Sequence, residues 1–262
     1  MTTPTPKPVL LLILDGWGHR EESADNAIAQ AIVKRLDSYR DQFAHVARQL
    51  EAGGYDTATI ANRMSGKAVA EFDEADKLLG ALDEFGVGLD AILLTHTHFD
   101  QVGAVAPVAT ATGAPVYCPA LETQVLADIM SYVPWPGFGP FESWEAEETV
   151  AGGERLRLAG FDIDVHFTPG HSPGHVTYAF LRDDAHPDVP VVLASGDVLF
   201  QQSIGRTDLP GGDHATLMSS IADLAERYDD DTVVLPGHMG VTTLAAERAG
   251  NPFLQDLPAR PA

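Results

Sequence analysis

The sequence predicts a layered α/β sandwich with mixed strand order. Short apolar runs that read as strands are interspersed irregularly with amphipathic helices, which favours layers over the strict alternation of a barrel. Polar residues with metal-ligand chemistry also fall directly after four of these runs, where an α/β scaffold gathers a site. A chain of 262 residues can bury one large core.

Taken in order, Val9 to Leu14 is short, continuous and apolar, as a buried strand is, and Asp15-Gly16-Trp17-Gly18 turns the chain. From about Glu21 to Ala52 the pattern is helical, in two pieces, stopped by Gly53-Gly54. Thr57 to Ala61 and Lys67 to Phe72 read as two strands joined at Ser65-Gly66. Leu78, Leu79 and Leu82 share one face of a helix from Glu74 to Phe85. A strand at Ala91 to Leu94 precedes a helix at Val102 to Thr112, closed by Gly113. A strand at Val116 to Cys118 and a helix at Glu122 to Ser131 follow. The loop Pro134 to Pro140 carries Trp135 and Phe138, either as a pocket wall or as an ordinary surface loop. Strands are expected at Arg155 to Leu158, Phe161 to Phe167, Val176 to Leu181, Val191 to Ala194 and Thr232 to Leu235, with a helix at Asp213 to Tyr228.

Composition narrows the partners. Asp plus Glu number 38 against 16 Lys plus Arg, a formal net charge of -22. Such a surface repels phosphate backbones and anionic headgroups, so neither nucleic acid nor a membrane is the expected partner. The lone cysteine, Cys118, lies in an apolar stretch with no basic neighbour in sequence, and reads as a buried structural thiol. The run Val9 to Leu14 is short for a signal peptide, and no stretch is long enough to span a bilayer, so a cytoplasmic location is expected.

The strongest chemical signal is Thr95-His96-Thr97-His98-Phe99-Asp100-Gln101, directly after the strand at 91–94. Two histidines two apart in extended chain point the same way, so His96 and His98 can hold one ion. If the chain stays extended, Asp100 continues the alternation and adds a hard oxygen ligand. His171 sits in the turn of Pro169-Gly170-His171-Ser172-Pro173-Gly174-His175, Asp197 follows the apolar strand before Ser195-Gly196, and His238 follows Leu235-Pro236-Gly237. Four histidines and two carboxylates suffice for two divalent cations.

From about residue 67 to Leu254 the chain resembles the metallo-β-lactamase superfamily, most closely its glyoxalase II-like branch. The motifs that carry the resemblance are Thr95 to Asp100, Pro169 to His175, Ser195 to Phe200, Gly205-Arg206-Thr207-Asp208-Leu209-Pro210-Gly211-Gly212 and Leu235 to His238. The resemblance implies an αββα sandwich. It implies one metal held by His96, His98 and His171, a second held by Asp100, a further histidine and His238, and Asp197 bridging the two. Zn2+ is the implied metal, one ion or two, with Fe or Mn as alternatives. Asp100 and Asp197 are the candidate catalytic carboxylates. The implied chemistry is attack of a metal-bound hydroxide on a small thioester or related acyl ester.

The chain departs from this pattern twice. Gln101 stands where the family has its further histidine, and an amide oxygen is a poorer ligand than imidazole, which weakens the second site. The family's Asp-Pro-Gly turn is replaced by Glu71-Phe72-Asp73 before the helix at Glu74. Pro8 to Glu22, with Asp25-Asn26-Ala27-Ile28, instead resembles the start of cofactor-independent phosphoglycerate mutase. There the residue matching Asp15 is a metal ligand, but the rest of that site has no counterpart here, and Asp15 reads as a turn residue. The expected organisation is a mutase-like segment over 1–56 and a metallo-hydrolase body over 57–262.

Arg206, Arg248 and Asn251 are candidate substrate contacts, with an Arg206–Asp208 pair and a surface helix end as the structural alternatives. His175 reads as a residue that supports the ligands. The leading function is hydrolysis of a small-molecule acyl substrate. The alternatives are a mononuclear iron dioxygenase of the persulfide type, which loss of a histidine at 101 favours, and a non-catalytic metal-binding fusion protein. Oligomeric state is not legible.

Overall fold

The computed structural model describes residues 9–14, 74–85, 87–133, 139–182 and 189–255. The expected helical pieces over 21–52, the strands at 57–61 and 67–72, most of the Pro-rich loop and the mutase-like segment beyond Leu14 lie outside these residues.

Two sheets face each other between two layers of helices. The first sheet is parallel, in the order β1 (Val9–Leu14), β2 (Gly88–Leu94), β3 (Val116–Pro119), β4 (Glu148–Val150). The second has six strands in the order β12 (Thr242–Thr243), β11 (Val233–Pro236), β8 (Val192–Gly196), β7 (Val176–Phe180), β6 (Phe161–Phe167), β5 (Arg155–Leu158). β8 and β11 run parallel, while β5, β6, β7 and β8 are successively antiparallel. A two-stranded ribbon, β9 (Leu199–Phe200) with β10 (Ser203–Ile204), follows β8. This is the expected αββα sandwich with mixed strand directions.

Side-chain alternation makes the layers. On β2, Ile92 and Leu94 pack with Ala75 and Leu78 of α1 (Glu74–Phe85) and with Val105, Val108 and Ala109 of α3 (Val105–Thr112). Ala91 and Leu93 face the other way and meet Ile163, Val165, Val176, Tyr178 and Phe180 of the second sheet. On the far side, Leu193 and Ala179 pack with Leu217, Ile221 and Leu224 of α6 (His214–Arg227). A strand buried on both faces reads as an unbroken apolar run, as Ala91 to Leu94 does. Each fully buried Leu or Ile contributes about 1.5–3 kcal/mol, so this core fixes the strand ends on which the polar residues sit. The cross-strand pairs Arg155–Asp164 and Arg157–Asp162 are exposed, screened by water and subordinate to it.

The N-terminal strand is part of the sheet. β1 pairs with β2 along its whole length, from Val9 opposite Gly88 to Leu14 opposite Leu94, with one irregularity between Leu10 and Leu11.

Several boundaries differ from the sequence reading. The helix expected at 102–112 is two pieces, α2 (Phe99–Val102) and α3, separated by Gly103-Ala104. The helix expected at 122–131 breaks at Asp128 into α4 (Thr123–Ala127) and α5 (Ile129–Tyr132), because Asp128 takes φ -147°, ψ 60°. β4, β9, β10 and β12 had no expectation, and α7 (Leu244–Gly250) had only that of a helix end near Arg248 and Asn251. The strands among them span only two or three residues, too few for a period to register.

Candidate metal centre

The carboxyl ends of β2, β6, β8 and β11 meet at one edge of the sandwich. Val176 N–H donates to Thr95 O at 2.8 Å and Tyr178 Oη–H to Leu94 O at 2.9 Å, so the start of β7 is stitched to the end of β2. His96 and His98 follow β2, His171 lies in the β6–β7 turn, Asp197 follows β8, and His238 follows β11.

The six predicted ligand residues converge into two linked groups. His96, His98 and His171 each offer a ring nitrogen, all within 4.8 Å of one another, and His98 Nδ1 lies 2.8 Å from His171 Nε2. Asp197 Oδ2 lies 3.3 Å from His171 Nε2 and 3.3 Å from His238 Nε2, and His238 Nε2 lies 3.5 Å from Asp100 Oδ2. One carboxylate oxygen therefore sits between a three-histidine group and a group made by Asp100 and His238.

Asp100 reaches this position by a different route from the one expected. The extended alternation ends at His98, whose carbonyl accepts the Gln101 N–H at 2.8 Å as α2 begins at Phe99. The first turn of α2 carries Asp100 towards His238. Gln101, 3% exposed, is the next residue of that turn.

The residues fit a cation. His96 Nε2 and Asp197 Oδ1 are buried and, among the described residues, have no hydrogen-bond partner. A buried polar atom left unpaired costs about 1–3 kcal/mol, and coordination removes that cost. His171 Nδ1 donates to the Arg206 carbonyl at 2.8 Å, which leaves the Nε2 lone pair facing His98 and Asp197. Burial lowers the pKa of His96 well below its ordinary value, and burial with the neighbouring His171 lowers that of His98, so both rings favour the neutral, ligating form. Burial also opposes a proton on His238, but hydrogen bonds to Asp100 and Asp197 outweigh it and push its pKa up to about 10. For Asp100, burial works to raise the carboxyl pKa, yet the bond to His238 prevails and lowers it. Without a cation, a proton on His238 balances the two carboxylates.

His175 supports this edge. Its Nδ1 meets Thr168 Oγ1 at 3.1 Å, its Nε2 accepts the Asp197 N–H at 3.0 Å, and its ring stacks on His96 with centroids 4.9 Å apart. The backbone crowds here. A Cβ on Gly196, which has φ +52°, would meet His175 Nε2 at 2.4 Å, and one on Gly205 would meet the Asp197 carbonyl oxygen at 1.9 Å. The Ser195-Gly196-Asp197 and Gly205-Arg206 motifs owe their glycines to this close approach.

The candidate substrate contacts are placed differently. Arg206 and Asp208 form an exposed bidentate pair at 2.6 and 2.7 Å, whose hydrogen bonds draw Asp208 down to about 2. Arg248 pairs with Asp230 and donates to the carbonyls of Ala225 and Tyr228 at the end of α6. Asn251 is buried, donating to Ser203 O and Glu247 Oε2 and accepting the Phe253 N–H. Arg248 thus sits at the carbonyl end of α6, where a cation is favoured, and Asn251 is a buried amide whose hydrogen bonds are met within the fold. Cys118 is buried, and burial pushes its thiol pKa up, as expected of a structural cysteine. Among the described residues no helix is long and apolar enough to cross a membrane. Two buried acids carry no motif in the sequence, Glu122 and Glu247; Glu122, 4% exposed, lies beside the loops that bear His98 and His171, and Glu247 beside Asn251.

Known proteins resemble this chain in sequence and in fold. The chain is 34% identical over 187 residues to the hydroxyacylglutathione hydrolase GloC of Haemophilus influenzae, a match spanning 69% of this chain and 83% of that one. Among solved structures, the B3 metallo-beta-lactamase BLEG-1 is 39% identical with a TM-score of 0.62, covering 69% of this chain and 84% of its own. TTHA1623 in a di-iron-bound form is 40% identical with a TM-score of 0.57, covering 70% and 86%. The family model for the metallo-beta-lactamase superfamily matches residues 54–238, a span that holds all six converging residues, and the chain belongs to that superfamily.

Proposed function

We propose that this protein is a metal-dependent hydrolase of a thioester or related small acyl ester, similar in action to a hydroxyacylglutathione hydrolase. The observation that carries the reading is the position of Asp197 Oδ2, 3.3 Å from both His171 and His238, with Asp197 Oδ1 and His96 Nε2 left without partners among the described residues. That arrangement suits one or two cations sharing a carboxylate. His96, His98 and His171 would hold the first, Asp100 and His238 the second, and Asp197 both.

A divalent cation held there supplies Lewis acidity, lowering the pKa of water and polarising an acyl carbonyl. The protein's own groups do the rest. Asp197, buried and held by His175, fixes the spacing of the two halves. Asp100, partly exposed beside His238, is the carboxylate placed to accept a proton from the attacking water. The same carboxyl group can return that proton to the departing thiolate. GloC supports the thioester class by likeness, and the B3 metallo-beta-lactamase makes a β-lactam amide the natural competitor.

The test is to reconstitute the full chain with Zn2+, Fe2+ or Mn2+ and assay a hydroxyacylglutathione, a simple aryl ester and a β-lactam in parallel. Metal-dependent release of thiol from the first supports the reading. Turnover confined to the β-lactam, or no metal uptake at all, overturns it. A second reading, iron-dependent oxygenation of a persulfide, is favoured by Gln101 alone, since one metal site then outweighs two. Oxygen consumption with a glutathione persulfide distinguishes it.

A further inference from the structure

Glu122 is the N-cap residue of α4, a position where a short polar side chain ordinarily caps the helix. It does not do so here: only its backbone carbonyl accepts, from Val125 and Leu126, and the side chain turns away from the helix. Its two carboxylate oxygens are divided between two loops. Oε2 accepts the Thr97 N–H at 3.0 Å and the Thr97 hydroxyl at 2.7 Å. Oε1 accepts the Ser172 hydroxyl at 2.5 Å and the Gly174 N–H at 2.9 Å. Thr97 lies between His96 and His98, and Ser172 follows His171.

A buried carboxylate is costly unless several donors meet it. Here four donors do, and they come in equal halves from the two chain segments that present the three-histidine group. We propose that Glu122 is a positioning residue that clamps these two loops together and so sets the affinity and geometry of the metal centre. The inference rests on the metal-centre reading above.

The chemistry of the clamp separates it from simple packing. An amide has nearly the shape of the carboxylate but only one accepting end. In Glu122→Gln the oxygen can serve one loop, while the NH2 faces donors on the other, and a backbone N–H of Thr97 or Gly174 cannot reverse its polarity. The loop facing the NH2 must shift. Asp keeps both accepting oxygens on a shorter arm, so it retains the clamp in part. The space is already tight on this side, since a Cβ on Gly174 would meet Glu122 Cγ at 2.4 Å.

The test titrates Co2+ into the metal-free full-length protein, reading affinity by chelator competition and ligand geometry by the visible absorption band. Glu122→Gln is expected to bind Co2+ about 10- to 100-fold more weakly, the usual effect of losing a group that orients ligands, with an altered band. Glu122→Asp is expected to lie between it and the wild type. Wild-type affinity and an unchanged band in Glu122→Gln overturn the inference, whatever its unfolding midpoint. If Glu122→Gln does not fold, Ser172→Ala and Thr97→Val each delete one donor from one loop. Weaker Co2+ binding in both supports the clamp, and wild-type binding in both overturns it. If the wild type takes up no Co2+, the metal-centre reading itself fails, which separates that failure from this one.

Discussion

The backbone N–H of Asp197 donates to His175 Nε2 at 3.0 Å, so the carboxylate shared by the two halves of the centre hangs from an imidazole outside the ligand ring. His175 is held in turn by Thr168 Oγ1, which also meets Thr177 Oγ1 at 3.0 Å. Replacing His175 with Phe keeps a flat apolar ring but leaves a buried N–H without its acceptor. We expect a loss of about 1–3 kcal/mol in the stability of the metal-free protein and a fall of roughly 10-fold or more in Zn2+ affinity. Urea unfolding and zinc titration measure the two separately. A stability loss with unchanged zinc binding would reduce His175 to a packing residue.

Asp197 itself is expected to be the least replaceable residue of the six, because both half-sites use it. Asp197→Ala is expected to abolish acyl hydrolysis and lower bound metal, whereas changing Asp100 or His238 touches one half-site only. Metal analysis beside turnover decides this. Full wild-type turnover in Asp197→Ala would mean that the site lies elsewhere.

The histidines give the metal-free protein a stability optimum in pH. His96 and His175 are buried and neutral, with pKa values well below the ordinary one. Below about pH 6.5, the ordinary histidine value, the unfolded chain binds protons that the folded chain refuses, so stability falls with acidification. His238 acts in the opposite sense. Its folded pKa is raised to about 10, so its contribution is fully present below about 6.5 and is lost as pH rises through the folded value. These residues together place the optimum near pH 6.5. Urea midpoints of chelated protein between pH 5 and 10 trace the curve, and His238→Gln is expected to flatten its alkaline limb. An unchanged alkaline limb in that variant contradicts the assignment.

How much of this was legible depended on how local each feature is. Ala91 to Leu94 and Val176 to Phe180 announce themselves because strands buried on both faces are continuous apolar runs. His96 and His98 are readable as a pair because their spacing matches an extended chain. Asp100 defeated the same argument, since α2 starts one residue before it and replaces alternation by a helical turn. Arg248 and Asn251 look available for substrate in sequence. Their partners, Ala225 to Asp230 and Ser203, lie about 20 and 48 residues away and cannot be seen from local pattern. Glu122 was invisible for that reason too: Thr97 is 25 residues before it, and Ser172 is 50 after. The pairing of β1 with β2 also needed the structure, because nothing in Val9 to Leu14 names its neighbour.

Gln101 offers the sharpest test of metal number. The resemblance expects a histidine at this position, and Gln101 is buried one residue after Asp100 on α2. A neutral amide oxygen has low basicity and binds borderline divalent ions more weakly than imidazole does. With glutamine there, the second half-site has two carboxylates and one ring, while the three-histidine group is complete. The wild type is therefore expected to hold about one tightly bound metal per chain, since only that group is complete. Gln101→His adds an imidazole to the weaker half, and the count is expected to rise towards about two. Hydrolysis of a thioester is expected to quicken by about an order of magnitude, a barrier change of roughly 1.4 kcal/mol, because two cations sharing Asp197 stabilise the developing negative charge better than one. An iron oxygenase would gain nothing from a second cation, so oxygen consumption with a persulfide is the matched control. Metal content and both activities, measured side by side in the two forms, separate the outcomes. Two tightly bound metals in the wild type would refute the weakening at Gln101, and an oxygen-dependent activity that the substitution lowers would favour the iron enzyme over the hydrolase.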